Sequence, residues 1–118
     1  MRLSVLLVLV ALGFAAPAAA RPPMGIVRGT VTRGPLTPIC SDAQPCYGPA
    51  VGVRLVFLRD GRPVAHTTAR DDGAYSIRLT AGRYGIRVRG WRRWTPTHVR
   101  VRRGRVTHLD VAIDTGIR

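Results

Sequence analysis

Lysine and glutamate are both absent from the 118-residue sequence. Its charge therefore comes from 19 arginines and 6 aspartates, which give a formal net charge of +13 at pH 7 with neutral histidines. The joint absence of two such common residues is typical of coding bias in a GC-rich genome, so we do not expect every arginine to bind a ligand. Even so, a domain this basic attracts polyanions and resists self-association. We therefore expect a monomer.

Residues that carry catalysis or bind metals are scarce. The histidines are isolated in strand-like segments, at His66, His98 and His108. After residue 20 only two serines occur, Ser41 and Ser76, and no nucleophile, base and acid form a recognisable pattern. Asp71 and Asp72 precede a glycine, but two acids supply far fewer than the roughly six oxygens that calcium takes, so they are typical of a turn. We expect no enzyme activity, no metal and no other cofactor.

The N-terminal stretch MRLSVLLVLVALGFAAPAAA has the pattern of a signal peptide. Arg2 gives a basic start, Leu3–Ala16 is almost wholly apolar, and Ala18 and Ala20 form the small-x-small pattern of a signal-peptidase site. The apolar run is shorter than the about 20 residues that a membrane-spanning helix needs. We therefore predict a signal peptide at residues 1–20; the alternative is an uncleaved anchor.

Removal of that peptide would leave one domain and no transmembrane segment. Residues 21–24, with two prolines, form a short N-terminal lead-in, and residues 25–118 have a length that fits a single domain. We therefore predict a secreted protein, located in the periplasm or outside the cell.

Cys40 and Cys46 are the only cysteines in the chain. An even pair in an exported protein meets an oxidising compartment and usually forms a disulfide. Redox pairs usually have the C-x-x-C spacing, whereas five residues separate this pair, and a zinc site needs about four ligands. We predict a disulfide, with free or redox-active thiols and a metal site as the alternatives. Closing so short a loop would stabilise the fold by roughly 2 kcal/mol.

Seven segments after residue 24 alternate apolar and polar residues with period two, and none shows a helical pattern. The segments are GIVRGTV (25–31), VGVRLVFL (51–58), VAHTTA (64–69), AYSIRL (74–79), RYGIRVRG (83–90), THVRVRRG (97–104) and RVTHLDVAID (105–114). Turn signals such as Asp60-Gly61 separate them. The pattern predicts an all-β fold, a seven-stranded antiparallel Greek-key sandwich of two sheets. Alternation places the strand arginines on the solvent face, where they also discourage edge-to-edge aggregation.

The order of several of these motifs resembles one known family. GIVRGTV is followed by a loop rich in proline and glycine, by VGVRLVF, by DGAYSIRL and by AGRYGIRV. This order resembles the carboxypeptidase regulatory-like domain, one of the transthyretin-like (prealbumin-like) β-sandwiches, over roughly residues 25–113. The resemblance implies a non-catalytic module, of a kind appended to enzymes or receptors or found alone in exported proteins. It also implies sugar binding for some related sandwiches.

Two glycine–tyrosine pairs carry much of this resemblance. Gly73 and Gly82 permit tight turns, and Tyr75 and Tyr84 are expected to bring large rings inward with hydroxyl groups that reach a partner. A sister family with the same fold hydrolyses hydroxyisourate, and resemblance to it implies an N-terminal histidine motif and a C-terminal Tyr-Arg-Gly-Ser. This chain ends in DTGIR and has no histidine before His66, so we do not expect that activity.

The segment GWRRWTP, residues 90–96, is the best candidate for a ligand site. Trp91 and Trp94 flank Arg92 and Arg93 between two predicted strands. Aromatic faces stack on sugar rings or bases, and arginines bind phosphate or carboxylate groups through paired hydrogen bonds. In the alternative, the tryptophans cap one end of the sandwich, and cation–π contacts with the arginines stabilise that cap.

A second basic run, RVRRGR at residues 100–105, would extend this candidate site if the strands concerned are neighbours. Arg102, Arg103 and Arg105 are its candidate ligand-binding residues. An anionic polysaccharide or cell-envelope polymer is the expected partner, whereas export argues against nucleic acid as the main one. The alternative is a solvated face without a specific ligand. We therefore predict a secreted, non-catalytic structural or interaction module, or else a binder of anionic polymers through the Trp/Arg segment.

Overall fold

The computed structural model describes residues 21–117. Arg118 and the predicted signal peptide, residues 1–20, lie outside the described residues. The described part of the chain forms ten β-strands and contains no helix long and apolar enough to cross a membrane. In chain order the strands are β1 (Met24–Gly34), β2 (Gly48–Pro49), β3 (Arg54–Arg59), β4 (Arg62–Thr68), β5 (Ala74–Thr80), β6 (Gly82–Val88), β7 (Arg93–Thr95), β8 (His98–Val101), β9 (Val106–His108) and β10 (Val111–Asp114).

The first sheet is organised around β1, which is long enough to pair with four other strands. Its first part pairs antiparallel with β5, and its second part pairs antiparallel with β2. On the opposite side, β9 and then β10 run parallel to β1 in one continuous register, from Ile26 opposite Val106 to Val31 opposite Val111. The short strand β7 pairs antiparallel with β10 and forms one edge of this sheet.

The second sheet has four strands in the order β4-β3-β6-β8, and all its neighbours are antiparallel. Its strands alternate between buried and exposed residues, as the burial of Tyr84, Ile86 and Val88 on β6 illustrates. The exposed residues between them include Arg83 and Arg87. One face of this sheet therefore packs on the core, and the other is covered with arginines.

The hydrophobic core lies between the two sheets. It consists of Val27, Val31, Ala50, Leu55, Phe57, Ala69, Tyr75, Leu79, Tyr84, Ile86, Val88, Val99, Val101, Val111 and Ile113. Alternation predicted the inward-facing residues of several strands, such as Tyr84, Ile86 and Val88 on β6, because the residues of a half-buried strand point to the two faces of the sheet in turn. Burial of these side chains supplies the main favourable term in the folding free energy.

Two buried tyrosines use their hydroxyl groups to bond backbone carbonyls, as their motifs led us to expect. Tyr75 donates to the carbonyl oxygen of Leu109, and Tyr84 donates to that of Thr80 at 2.6 Å. Burial, followed by the negative charge of Asp110, raises the pKa of the Tyr75 phenol well above its ordinary value. The Tyr75 phenol therefore acts as a neutral hydrogen-bond donor within the fold.

The all-β sandwich predicted from the sequence is confirmed, and its details differ in two ways. Residues 21–117 form ten strands instead of seven, because the predicted segment 105–114 divides at Leu109 and Asp110, and β2 and β7 are additional short strands. The arrangement is also not purely antiparallel, since β9 and β10 run parallel to β1. Alternation shows which face of a strand is buried, but it carries no information about the strand's partner or direction.

Candidate functional site

The disulfide loop joins β1 to β2 and folds against the end of the first sheet. Cys40 and Cys46 are bonded, with their Cα atoms 5.1 Å apart, which confirms the predicted disulfide. Cys46 is buried, and its carbonyl oxygen accepts a hydrogen bond from the N–H of Leu36 at 2.6 Å. The hydroxyl of Thr115 donates to the carbonyl of Pro35 at 2.6 Å. The loop is therefore tied to the segment that follows β10.

Close packing against Gly34 fixes the position of Tyr47, which follows the second cysteine. A Cβ atom at Gly34 would lie 2.2 Å from Cδ1 of Tyr47, so only glycine leaves room for the ring. The rest of the Tyr47 side chain faces solvent, and the residue is 70% exposed. The sequence analysis did not select Tyr47, because a single tyrosine in a loop carries no pattern that predicts its neighbours.

The predicted Trp/Arg segment lies where the chain crosses between the sheets. Trp91 and Trp94 are half-buried and pack against the core, whereas Arg92 and Arg93 are exposed. The indole N–H of Trp94 donates to the carbonyl of Ile86 on β6 at 3.0 Å. Because Trp94 itself belongs to β7 in the other sheet, its side chain links the two sheets. This arrangement fits the interpretation in which the tryptophans cap one end of the sandwich.

An open groove of about 660 Å³ lies between this segment and the disulfide loop, and we call it the Trp94 groove. It is lined by Gly34, Pro35, Tyr47, Arg92, Arg93, Trp94, Thr95, Thr97, Ala112, Ile113 and Asp114. Tyr47 and Trp94 offer aromatic surface, and two arginines offer hydrogen-bond donors to an anion. Asp114 is a carboxylate on the same surface, and it lies directly opposite Arg93 across the β10–β7 pair.

The second basic run lies at the other end of the first sheet. Next to Arg102 and Arg103, the N–H of Gly104 donates to the carbonyl of Met24 at 2.8 Å, at the start of β1. The Trp94 groove adjoins Gly34, where β1 ends. A strand of this length spans roughly 30 Å. Arg102, Arg103 and Arg105 are exposed, but the structure does not bring them together with the Trp/Arg segment.

The polar contacts of Asp110 are structural. Its carboxylate accepts hydrogen bonds from the N–H of Thr30 at 3.0 Å and from the Thr30 hydroxyl at 3.1 Å. His108 lies 3.3 Å away through Nε2. These contacts, the Thr30 N–H first among them, lower the pKa of Asp110. Among residues 21–117, no group of three or more histidine, cysteine or acidic side chains is placed to hold a metal ion.

Fold and groove together define an all-β sandwich with an aromatic and basic surface at one end. No protein-family model and no curated protein matches the sequence. Among solved structures, the chain is similar to GBS52, the minor pilin of the gram-positive pathogen Streptococcus agalactiae, with a TM-score of 0.52 and 12% identity. That similarity covers 79% of this chain and 45% of the pilin chain, so this chain spans less than half of the pilin's length.

A second solved structure is a DUF3823 family protein from Parabacteroides merdae, with a TM-score of 0.49 and 21% identity. The similarity covers 78% of this chain and 46% of that one. At 12% identity, the similarity to the pilin concerns the fold alone, and it agrees with the two-sheet sandwich described above.

Proposed function

We propose that this chain is an exported, non-catalytic β-sandwich that acts as a structural or interaction module. The Cys40–Cys46 disulfide carries the proposal, because such a bond persists in oxidising compartments and is rare where thiols are kept reduced. Most of the polar chemistry of the core also serves structure: Tyr75 and Tyr84 donate to backbone carbonyls. A minor pilin has a similar fold, which fits a non-catalytic β-sandwich module.

The carboxypeptidase regulatory-like family is the class to which we assign the module. The contacts of the motif residues support a structural role for each of them. Gly25 and Gly29 of the opening motif allow β1 to approach the backbone of Arg102 and Leu109. The tyrosine of each later motif bonds a carbonyl beside the core. These contacts give each of these motif residues a structural role, which supports the proposal of a non-catalytic module.

Expression of the full 118-residue chain in a bacterium tests export directly. We expect the protein in the extracytoplasmic fraction, with an N-terminus at Arg21, no thiol that alkylates, and a mass increase of about 2 Da on reduction. A chain without residues 1–20 is the control, and it should stay in the cytoplasm. Retention of the full chain in the cytoplasm with reactive thiols would overturn the proposal.

A second candidate function is binding of an acidic polysaccharide or cell-envelope polymer in the Trp94 groove. The groove favours this ligand because Tyr47 and Trp94 offer ring surface to a sugar, while Arg92 and Arg93 can donate to its carboxylate, sulfate or phosphate groups. Its volume of about 660 Å³ lies in the range of small-molecule sites.

Two double variants with equal loss of charge test the groove. Arg92→Gln/Arg93→Gln removes two groove arginines, and Arg102→Gln/Arg103→Gln removes two exposed arginines at the other end of β1. We expect the first variant to weaken binding of a short oligogalacturonate by about tenfold, which is about 1.4 kcal/mol, and the second to change it little. Equal losses would mean that net charge alone attracts the polymer, and the groove would not be the site.

A further inference from the structure

The outer face of the four-stranded sheet contains a hollow of about 480 Å³ centred on β3, which we call the β3 hollow. It is lined by Arg54, Val56, Pro63, Val64, Ala65, His66, Arg87 and Arg89. It shares no residue with the Trp94 groove. None of its residues was singled out as a candidate site from the sequence, where these arginines were expected to cover a solvated face.

Strand pairing places the residues of the hollow in neighbouring rows. Val56 lies directly opposite Arg87 on β6 and His66 on β4. In the adjacent row, the N–H of Arg89 donates to the carbonyl of Arg54 at 3.0 Å. Neighbouring strands lie about 4.8 Å apart, and alternate residues of one strand about 7 Å apart. The three arginines therefore leave the backbone within about 10 Å of one another.

No acidic residue stands on any of the four strands of this sheet. The aspartates of the described chain lie in loops and turns or on β10: Asp42, Asp60, Asp71, Asp72, Asp110 and Asp114. Arg83 and Arg100 lie directly opposite each other across β6 and β8, and like charges in such a pair destabilise a sheet. In the Trp94 groove, by contrast, Asp114 lies opposite Arg93. Positive charge is therefore in excess on the strands of this face, and the nearest acidic residue among the linings is Asp60 in the β3–β4 turn, which lines a neighbouring hollow with Arg83 and Arg87.

The chemistry of the hollow fits a sugar acid better than other polyanions. Val56 and Val64 offer apolar surface to the C–H face of a pyranose ring, and the surrounding guanidinium groups can donate to carboxylates of the polymer. Single-stranded nucleic acid usually stacks its bases on Phe, Tyr or Trp side chains, and the lining contains none of these three, with His66 as its one aromatic ring. Contact with a lipid surface uses large side chains such as Trp, Phe or Leu, which the lining also lacks.

We propose that the β3 hollow binds an acidic polysaccharide. One sugar ring packs on Val56 and Val64, and carboxylates of the polymer bind Arg54, Arg87 and Arg89. The inference rests on the proposed function for the class of ligand alone. The surface that binds the ligand is a different one, because the β3 hollow shares no residue with the Trp94 groove. Salt weakens this binding steeply, because the arginines displace counterions from the polymer.

The test compares two triple variants that lose the same charge from opposite sheets. Arg54→Gln/Arg87→Gln/Arg89→Gln removes the three arginines that line the hollow. Arg28→Gln/Arg33→Gln/Arg78→Gln removes three exposed arginines from the first sheet. Binding of oligogalacturonate is measured by titration calorimetry at several salt concentrations, with a neutral galactose oligomer, duplex DNA and phosphatidylglycerol vesicles as comparison ligands. We expect the first variant to bind oligogalacturonate at least about tenfold more weakly, and the second to stay within about threefold of wild type.

A second pair of variants tests the apolar floor without changing the rim. Val64 and Val106 are both 54% exposed, so aspartate at either position costs little folding free energy. Val64→Asp places a carboxylate in the hollow and should weaken oligogalacturonate binding about tenfold, whereas Val106→Asp on β9 should not.

The outcomes separate the two sites. Loss of binding in the variants of the hollow but not in their matched controls supports the inference, whether or not Arg92→Gln/Arg93→Gln also weakens binding. Loss only in Arg92→Gln/Arg93→Gln overturns it while leaving the Trp94 groove in place. Absence of oligogalacturonate binding by the wild-type protein would overturn both. Equal weakening by the two triple variants, or tighter binding of DNA or vesicles than of oligogalacturonate, would also overturn the β3 hollow as a polysaccharide site.

Discussion

Gly29, near the middle of β1, leaves no space for a side chain. An added Cβ atom would lie 2.0 Å from the carbonyl oxygen of Leu109 and 2.6 Å from its carbon, in the link between β9 and β10. These are backbone atoms, so a change of rotamer cannot relieve the contact. Gly29→Ala would therefore have to push this link away by about 1 Å, since Cβ contacts under 3.0 Å essentially do not occur.

The same link carries several hydrogen bonds that such a shift would weaken. The N–H of Leu109 donates to the carbonyl of Arg28 at 2.8 Å, and its carbonyl accepts from the hydroxyl of Tyr75. Overpacking costs about 1–3 kcal/mol, and each hydrogen bond contributes about 0.5–1.5 kcal/mol. Alanine recovers about 0.5–1 kcal/mol, because glycine loses more conformational entropy in a strand. We expect Gly29→Ala to lower the free energy of unfolding by roughly 2–4 kcal/mol.

Urea unfolding followed by fluorescence of the half-buried tryptophans measures this loss. The midpoint should fall by roughly 1–3 M without a change in slope. Gly85→Ala is the matched control, because this strand glycine on β6 would place its Cβ 3.8 Å from the nearest atom, on Leu58. That variant should be as stable as wild type or more stable by about 0.5–1 kcal/mol. If Gly29→Ala matched Gly85→Ala in stability, the close approach of β1 to the β9–β10 link would be wrong.

Three further predictions concern the disulfide, Tyr75 and Trp94. Reduction of the Cys40–Cys46 bond should lower the free energy of unfolding by roughly 2 kcal/mol, as urea titrations with and without reductant would show; identical curves would contradict it. Because the pKa of Tyr75 is raised from its ordinary value of 10.0, the folded state keeps a proton that the unfolded chain loses. The free energy of unfolding should keep its full value below about pH 10 and decline above it, and Tyr75→Phe should abolish the decline between about pH 10 and pH 11. Trp94→Phe should cost about 1–3 kcal/mol by removing the bond to Ile86, and a change below about 0.5 kcal/mol would exclude its role between the sheets.

Much of the sandwich was predictable because burial imposes a simple period on each strand. The inward set on β6, Tyr84, Ile86 and Val88, is one example of a face that alternation identified. The disulfide was also predictable, from the number of cysteines and the expected export. In both cases the information is local: neighbouring residues, or the chemistry of one residue type, were enough.

Long-range arrangement was not predictable in the same way. The glycines of GIVRGTV could be recognised as a motif. They are needed because the backbone at Leu109, about eighty residues later in the chain, approaches β1 closely. Tyr47 lines the same groove as Trp94 only because the disulfide loop folds back against the end of β1. Arg102 and Arg93 look close in sequence, yet strand pairing places them at opposite ends of β1.

Composition allowed two explanations of the arginines, coding bias and polyanion binding, and the arrangement of charge helps to choose between them. Coding bias acts without regard to sheet or face, so by itself it would spread arginine and aspartate over the whole surface. The four-stranded sheet instead holds Arg54, Arg59, Arg62, Arg83, Arg87 and Arg100 on its strands and no aspartate. The strands of the other sheet hold Arg28, Arg33, Arg78 and Arg93 together with Asp114. Like charges directly opposite each other, such as Arg83 and Arg100, destabilise a sheet. The uneven distribution of charge along the strands, more than its total, is therefore our reason for proposing a polyanionic ligand.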